Sequence, residues 1–368
     1  MTTPATRMNH VRRSLIRRIV DAAPSGSVHL GLGEIRLPLH PLLRQAAERA
    51  LAAADLFYTP NAGLPQLRSA IAARYGLDAE GVCVTVGAAE GLYAALTAYI
   101  GPGDRVLLPT PAYPAYETII CMAGGMCEPF PLLPDDAFRL DTDVLAQRLP
   151  GAKALVLCNP SNPLSTRLDS VAVQRLAALC EQHGVLLLAD EIYRDLWLHS
   201  VGESFIAHGG NVLVVGGLSK SHALTGWRLG WVVGTPELVA PVIDAHQYIC
   251  TCAPALSQRV ALFALSEEGR AVGEEIRRRL ALNMDMLLEG LRGLPLEPLP
   301  PDASPYVWCR ALIPNAHARL LEAGVITIPG DAFGMAGDWL RISCGVPEAD
   351  LREGLRRMAH FFEKKVKT

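Results

Sequence analysis

Aromatic side chains make up only 6% of the 368 residues, too few to build a stacking platform for single-stranded nucleic acid. Charge of one sign is missing too: 34 basic residues against 37 acidic ones leave a formal net charge of -3. No basic field therefore awaits a polyphosphate partner, and nucleic acid is not an expected ligand. No apolar run approaches the roughly 18 residues that a membrane-spanning helix needs, so no membrane association is expected. The nine cysteines are odd in number and scattered through Val- and Leu-rich stretches. That pattern suits reduced thiols in a cytoplasmic chain better than a disulfide framework. The one close pair, Cys250-Thr251-Cys252, has no second Cys or His pair at a zinc-like spacing, so no metal site is expected.

What the chain does have is apolar mass: half its residues are hydrophobic and only 19% are charged. At this length that implies one large α/β domain or two domains. Short β-branched or Leu-rich runs recur at Val82–Val86, Arg105–Leu108, Ala154–Cys158, Val185–Ala189, Val212–Val215 and Trp231–Val233, and read as buried strands. Helix-period segments such as Glu90–Ile100, Tyr116–Ala123 and Ser170–His183 lie between them, which implies a largely parallel sheet covered by helices. A long stretch with few breakers from Pro254 to Leu291 predicts one connecting helix. After the prolines between Pro295 and Pro301 a smaller α+β pattern begins, with strands at Val307–Arg310, Val325–Ile328 and Leu340–Ser343 and a helix at Glu348–Phe362. The acid-free first twenty residues carry Arg7, Arg12, Arg13, Arg17 and Arg18, the charge bias of a mitochondrial presequence. An amphipathic helix with Val11, Leu15, Ile16 and Ile19 on one face is the preferred reading, and it is expected to join the smaller unit.

In open α/β sheets reactive groups collect at the carboxyl ends of strands, and four such ends are informative. The first runs into Gly87-Ala88-Ala89-Glu90-Gly91 and then a helix, which aims free backbone N–H groups at an anion. Any tight strand-to-helix turn also uses glycine, so this signal is weak alone. The second ends in Asn159-Pro160-Ser161-Asn162-Pro163, a rigid turn presenting an amide. The third ends in Asp190-Glu191-Ile192-Tyr193, where a carboxylate after an apolar run needs a cationic partner. The fourth leads to Gly217-Leu218-Ser219-Lys220 and then Gly226-Trp227-Arg228. A lysine beside another cation in a desolvated pocket has a lowered pKa and becomes nucleophilic. Pyridoxal phosphate accounts for all four, since it needs a Schiff-base lysine, a carboxylate at its pyridinium nitrogen, donors to its phenolate oxygen and an anion cradle. A Walker-type loop fails because Lys220 follows Ser219, and a nucleophile elbow fails because Gly217-Leu218-Ser219-Lys220-Ser221 lacks the last glycine.

These residues resemble the fold-type I aminotransferases of class I/II over nearly the whole chain. The string from Ser219-Lys220 through Thr225-Gly226-Trp227-Arg228-Leu229-Gly230 is similar to the family's lysine signature. Tyr58-Thr59-Pro60-Asn61-Ala62-Gly63, Pro111-Ala112-Tyr113-Pro114, the Asn-Pro turn, Asp190–Tyr193 and Trp339-Leu340-Arg341-Ile342-Ser343 follow the family's order. The resemblance implies a large domain with a mostly parallel seven-stranded sheet covered by helices, and a smaller α+β domain built from both termini. Its implied bounds are an arm at 1–40, a cofactor-binding domain at 41–270 and a small domain at 271–368. It implies that Lys220 holds pyridoxal phosphate and then shuttles a proton, and that Asp190 keeps the pyridine nitrogen protonated. Asn162 and Tyr193 would bond the phenolate oxygen, Tyr113 would stack on the ring, and Arg228, Ser219 and the backbone at Ala88 and Ala89 would hold the phosphate. Arg341 would grip the substrate α-carboxylate, with Gly33 letting the backbone approach it. Tyr58 would reach the phosphate of a neighbouring subunit, which makes a homodimer with sites at the interface the expected assembly.

The chain departs from the family's usual pattern at several positions. Gly217 and Ala89 stand where hydroxyl or amide donors are common, Leu164-Ser165 replaces the usual Thr-Gly, and His222 replaces an aromatic residue. His222 is read as a ring filling that slot rather than as an extra acid/base group, and Arg36 as a surface residue. Gln247 aligns with an arginine that, in family members handling dicarboxylates, reaches the site from the partner subunit, so the substrate side chain is expected to be neutral, aromatic or cationic. The leading activity is transfer of an amino group from an α-amino acid to a 2-oxo acid. Elimination, replacement or cyclisation on the same scaffold is the alternative, because all begin with the same proton abstraction. A non-catalytic sensor is disfavoured by the intact Lys220, Asp190 and Arg341 and by the lack of a winged-helix segment before Tyr58.

Overall fold

The computed structural model describes residues 2–5, 8, 11, 13–53, 56–196 and 202–366. Arg7 and Arg12 of the basic leader lie outside the described residues. In chain order the strands are β1 (Val28–His29), β2 (Val82–Thr85), β3 (Arg105–Thr110), β4 (Met126–Pro131), β5 (Ala154–Cys158), β6 (Leu186–Asp190) and β7 (Val212–Gly217). They continue with β8 (Gly230–Val233), β9 (Leu296–Pro298), β10 (Tyr306–Ala311), β11 (Val325–Ile326), β12 (Ile328–Pro329) and β13 (Trp339–Ser343).

Seven of these form the central sheet in the order β2-β8-β7-β6-β5-β3-β4. From β7 to β4 every neighbouring pair is parallel, while β8 runs antiparallel to both β7 and β2. The mostly parallel, helix-covered sheet is as expected. Its strands read as unbroken apolar runs because both faces are buried. Leu155, Leu187, Ala189, Val212 and Val214 pack on one face, and their alternates Ala154, Val156, Leu188, Leu213 and Val215 pack on the other.

Two expectations need correcting, and one strand of the central sheet was missed. The stretch from Pro254 to Leu291 is two helices, Ala255–Ala264 and Glu267–Leu291. Ser266 accepts a hydrogen bond from the Gly269 amide at 3.2 Å and caps the second helix, with Glu267 and Glu268 in its first turn; that is an N-terminal signature inside an otherwise continuous period. The strand expected at Val325–Ile328 splits at Thr327, β11 pairing with β1 and β12 with β13. Strand β4 was not anticipated, because Glu128, Pro129 and Pro131 disguise it; it is an edge strand, where a missing N–H costs little.

The smaller unit draws on both ends of the chain. Val28 pairs with Val325 and His29 with Ile326, and the helix Leu15–Asp21 packs through Ile19 against Trp308, Ile326 and Ile328. The helix Glu267–Leu291 ties the two cores together: Val272, Ile276 and Leu280 join the main core, and Met284, Leu287 and Leu291 join the other. Among the described residues no helix is long and apolar enough to cross a membrane.

Candidate active site

The carboxyl ends of β5, β6 and β7 bring Asn162, Asp190 and Lys220 toward one cleft, closed on its other side by the N-terminal segment and by β13. Asp190, the last residue of β6, is 4% exposed. Its Oδ2 accepts from the Tyr116 hydroxyl at 2.7 Å and its Oδ1 from the Ile192 amide at 3.1 Å. Burial raises its pKa, and these two bonds oppose the shift. No salt bridge reaches Asp190 among the described residues.

Lys220 leaves β7 through Leu218 and Ser219, and its ammonium donates to the Gly33 carbonyl at 2.6 Å. Burial, then the nearby Arg341 charge, lowers its pKa to about 8; Asp190 pulls the other way. Arg341, on β13, is buried. One of its terminal nitrogens donates to Asn162 Oδ1 at 2.7 Å and the other to the Gly31 carbonyl at 2.7 Å. Its guanidinium carbon stands 4.2 Å from the Tyr306 ring centroid and 4.8 Å from that of Phe333. With Asn162 Oδ1 accepting from Arg341, the amide Nδ2 remains as that side chain's donor.

The anion cradle lies at the far end. Gly87 opens the helix Gly87–Tyr99 at φ +77°, and a Cβ there would fall 2.7 Å from an Arg228 terminal nitrogen. Only glycine lets that guanidinium approach the helix N-terminus, where the first-turn amides of Ala88 and Ala89 lack intrahelical acceptors. Arg228 itself adopts φ +51° and donates to the Thr225 carbonyl at 3.0 Å. Tyr113 meets Tyr116 edge-on at 5.5 Å, and Tyr193 lies buried with its hydroxyl 2.8 Å from that of Tyr306. Ser219 is partly buried beside Lys220. Tyr58 stands apart, 86% exposed.

Gly217 has a reason of its own. A Cβ there would lie 2.9 Å from the Leu229 carbonyl oxygen and 3.1 Å from the Gly230 Cα, so a serine side chain could enter only if that backbone shifted. Gly217→Ser is expected to lower the melting temperature by several degrees, checked by thermal unfolding, through this backbone clash. His222 is buried and faces away from the cleft, its Nε2 3.1 Å from the Gly269 carbonyl and its Nδ1 2.9 Å from the Ser221 hydroxyl. Arg36 is exposed, with only its backbone N–H engaged, on the Gly345 carbonyl at 2.7 Å.

Sequence reasoning missed Tyr116 and Tyr306, although a tyrosine within an apolar run signals a hydroxyl needing a partner. It also missed Glu90, His246 and Cys250, whose donor atoms lie within 4.8 Å of one another. There His246 Nδ1 sits 3.0 Å from Glu90 Oε2, which accepts from the Val86 amide at 3.0 Å and so braces the cradle from behind.

Comparison with known proteins places this geometry. The family model for aminotransferase class I and II matches residues 26–358, and the chain belongs to that family. An aspartate/prephenate aminotransferase of Thermus thermophilus is 33% identical over 94% of this chain and 98% of its own. A probable N-acetyl-LL-diaminopimelate aminotransferase of Bacillus subtilis is 31% identical over 92% of this chain and 89% of its own. The solved aspartate aminotransferase of Thermus thermophilus with maleate superposes with a TM-score of 0.92 at 30% identity, covering 98% of this chain and all of that one. The chain is an amino-acid aminotransferase of fold type I.

Proposed function

We propose that this aminotransferase works with pyridoxal 5'-phosphate held by Lys220, and that its amino donors carry neutral, aromatic or cationic side chains. The observation that carries the cofactor reading is Asp190: a carboxylate 4% exposed, bonded to Tyr116 and Ile192, with no ion-pair partner among the described residues. A pyridinium N–H is the cation such a group lacks, and the Arg228 cradle fits the phosphate. When bound, the cofactor supplies a carbonyl that captures the substrate amine and a ring that accepts the electron pair left at the α-carbon.

This chain's residues do the rest. Arg341 is already oriented by Asn162, Gly31 and the ring of Tyr306, so its planar fork meets the substrate α-carboxylate without reorganising. Asn162 Nδ2 and the Tyr193 hydroxyl would donate to the cofactor's phenolic oxygen, Tyr113 would cover the ring, and Asp190 would hold a proton at the pyridine nitrogen. Lys220 Nζ, whose pKa burial and the Arg341 charge lower, would move the proton away from the α-carbon. Gly33 sits where both Lys220 and the substrate carboxylate approach. Arg228, Ser219 and the amides of Ala88 and Ala89 take the phosphate.

The exposed Tyr58 supports a homodimer in which each subunit completes its neighbour's phosphate site, and the free cysteines support a cytoplasmic setting. The division into an arm at 1–40, a large domain at 41–270 and a small domain at 271–368 belongs to the same reading.

The substrate side chain is read from two residues. Gln247, at the position from which a partner subunit would reach the site, is neutral, and Arg36 is exposed, so neither is read as pairing with a second carboxylate. The expected result is a higher kcat/KM for neutral or basic amino acids than for aspartate or glutamate, measured with one common 2-oxo acid acceptor. A dicarboxylate preference that disappears in Arg36→Ala would show that Arg36 turns inward to supply the missing charge.

A further inference from the structure

Tyr306 begins β10, whose register sets Trp308 opposite Arg341, so that Tyr306 is the diagonal neighbour on the same face of the sheet. Its ring lies under the guanidinium at 4.2 Å and meets the Tyr193 ring edge-on at 5.6 Å. Its hydroxyl does more than fill space. It lies 2.8 Å from the Tyr193 hydroxyl and donates to the Gly33 carbonyl at a longer 3.3 Å, the same oxygen that takes the Lys220 ammonium at 2.6 Å. A Cβ on Gly33 would come within 2.6 Å of this hydroxyl, so the space a side chain would need at position 33 is reserved for it.

We propose that Tyr306 is a positioning residue for the transfer reaction, acting through Tyr193: its hydroxyl donates to Tyr193 and so strengthens the bond that Tyr193 donates to the cofactor's phenolic oxygen. This rests on the cofactor reading given above. Each phenol has one proton. With Tyr306 donating to Gly33, the Tyr193 proton is spent on Tyr306. Once Tyr193 turns its proton to an acceptor in the cleft, its own oxygen lacks a donor, and Tyr306 is the hydroxyl within reach to supply one. The bond given up is the long one to Gly33, whose carbonyl keeps Lys220. Chained donors polarise one another, so Tyr193 becomes the stronger donor.

The surroundings suit that role. Tyr193 and Tyr306 are 4% and 0% exposed, and burial pushes both phenols above their ordinary value, so both keep their protons. The charged or titratable groups acting on the pair are Arg341, Cys158 and Tyr113, with the Lys220 ammonium on the shared Gly33 carbonyl.

A donor to the phenolic oxygen favours the deprotonated state of the bound cofactor, in which that oxygen carries most charge. Weakening the donor therefore raises the apparent pKa of the visible absorbance band. The test is a spectrophotometric pH titration of wild type, Tyr306→Phe, Tyr193→Phe and the double variant, each loaded with pyridoxal phosphate. Tyr306→Phe keeps the ring under Arg341. It is expected to raise the apparent pKa by about 0.3–1 unit while leaving KM for the amino acid within about twofold, because the cation–π contact survives. Tyr193→Phe is expected to raise it more, and adding Tyr306→Phe to that variant to raise it no further. Tyr306→Met, similar in bulk but without a hydroxyl, repeats the measurement if the Phe variant does not fold. A wild-type band with an unchanged pKa in Tyr306→Phe overturns the inference alone, as does a shift that persists without Tyr193. A wild type that develops no band overturns the cofactor reading and the inference with it.

Discussion

Lys220→Ala is expected to lower turnover by roughly 10⁴-fold or more, because one side chain serves both as cofactor anchor and as the group that moves the α-proton. The fold should survive. Below its pKa of about 8 the buried ammonium is a cost to the cofactor-free protein, and the sign of that cost can be followed with pH. Between about 8 and the ordinary lysine value of 10.5 the unfolded chain binds the extra proton. Stability from this group therefore rises with pH across that window, and the penalty is present in full below it. Lys220→Met, which keeps the bulk without the charge but gives up the bond to Gly33, is expected to stabilise the cofactor-free protein at pH 7 by about 1 kcal/mol. That gain should shrink to nothing above about pH 10.5, as followed by denaturant unfolding at a series of pH values. A variant less stable than wild type at pH 7 would contradict the burial assigned to the ammonium.

Asp190→Asn should fold and still bind the cofactor, yet lose at least about a hundredfold in kcat. The amide cannot hold a proton at the pyridine nitrogen with a negative charge, and the Tyr116 hydroxyl at 2.7 Å would then donate to a neutral oxygen. Tyr116→Phe removes that donor alone and is expected to cost about tenfold, since a bond to a charged acceptor carries roughly 1.5–3 kcal/mol. Steady-state kinetics on the two variants separates the roles. Turnover of Asp190→Asn within a few-fold of wild type would remove Asp190 from the reaction.

The central sheet was legible in the sequence because both its faces are buried. A strand such as Ala154–Cys158, with alternate residues in two cores, has to be apolar at every position, and such a run followed by Asn, Asp or Gly-rich turns marks the carboxyl end where chemistry collects. Lys220, Asp190, Asn162, Tyr193 and Arg228 follow such ends, whereas Arg341 was named only through the resemblance to the family. Strand β4 was hidden because an edge strand tolerates the prolines and the charge that elsewhere signal a loop. The helix break at Ser266 left a capping signature, but one outweighed by the long period around it. Tyr116 and Tyr306 were out of reach for a different reason. Their importance lies in contacts 74 and 113 residues away along the chain, and a sequence shows that a buried hydroxyl needs a partner without showing which one. Gly217 gives the same lesson in reverse. What reads as a missing hydroxyl donor is a position where a side chain would press on the Leu229 carbonyl.

The most direct measurement is to load the protein with pyridoxal phosphate, reduce with borohydride, digest, and locate the phosphopyridoxyl group by mass spectrometry. The expected result is one modified peptide, carrying the label on Lys220 and lost in Lys220→Ala. Label on another lysine, or a protein that transaminates with none, would contradict the assignment of Lys220.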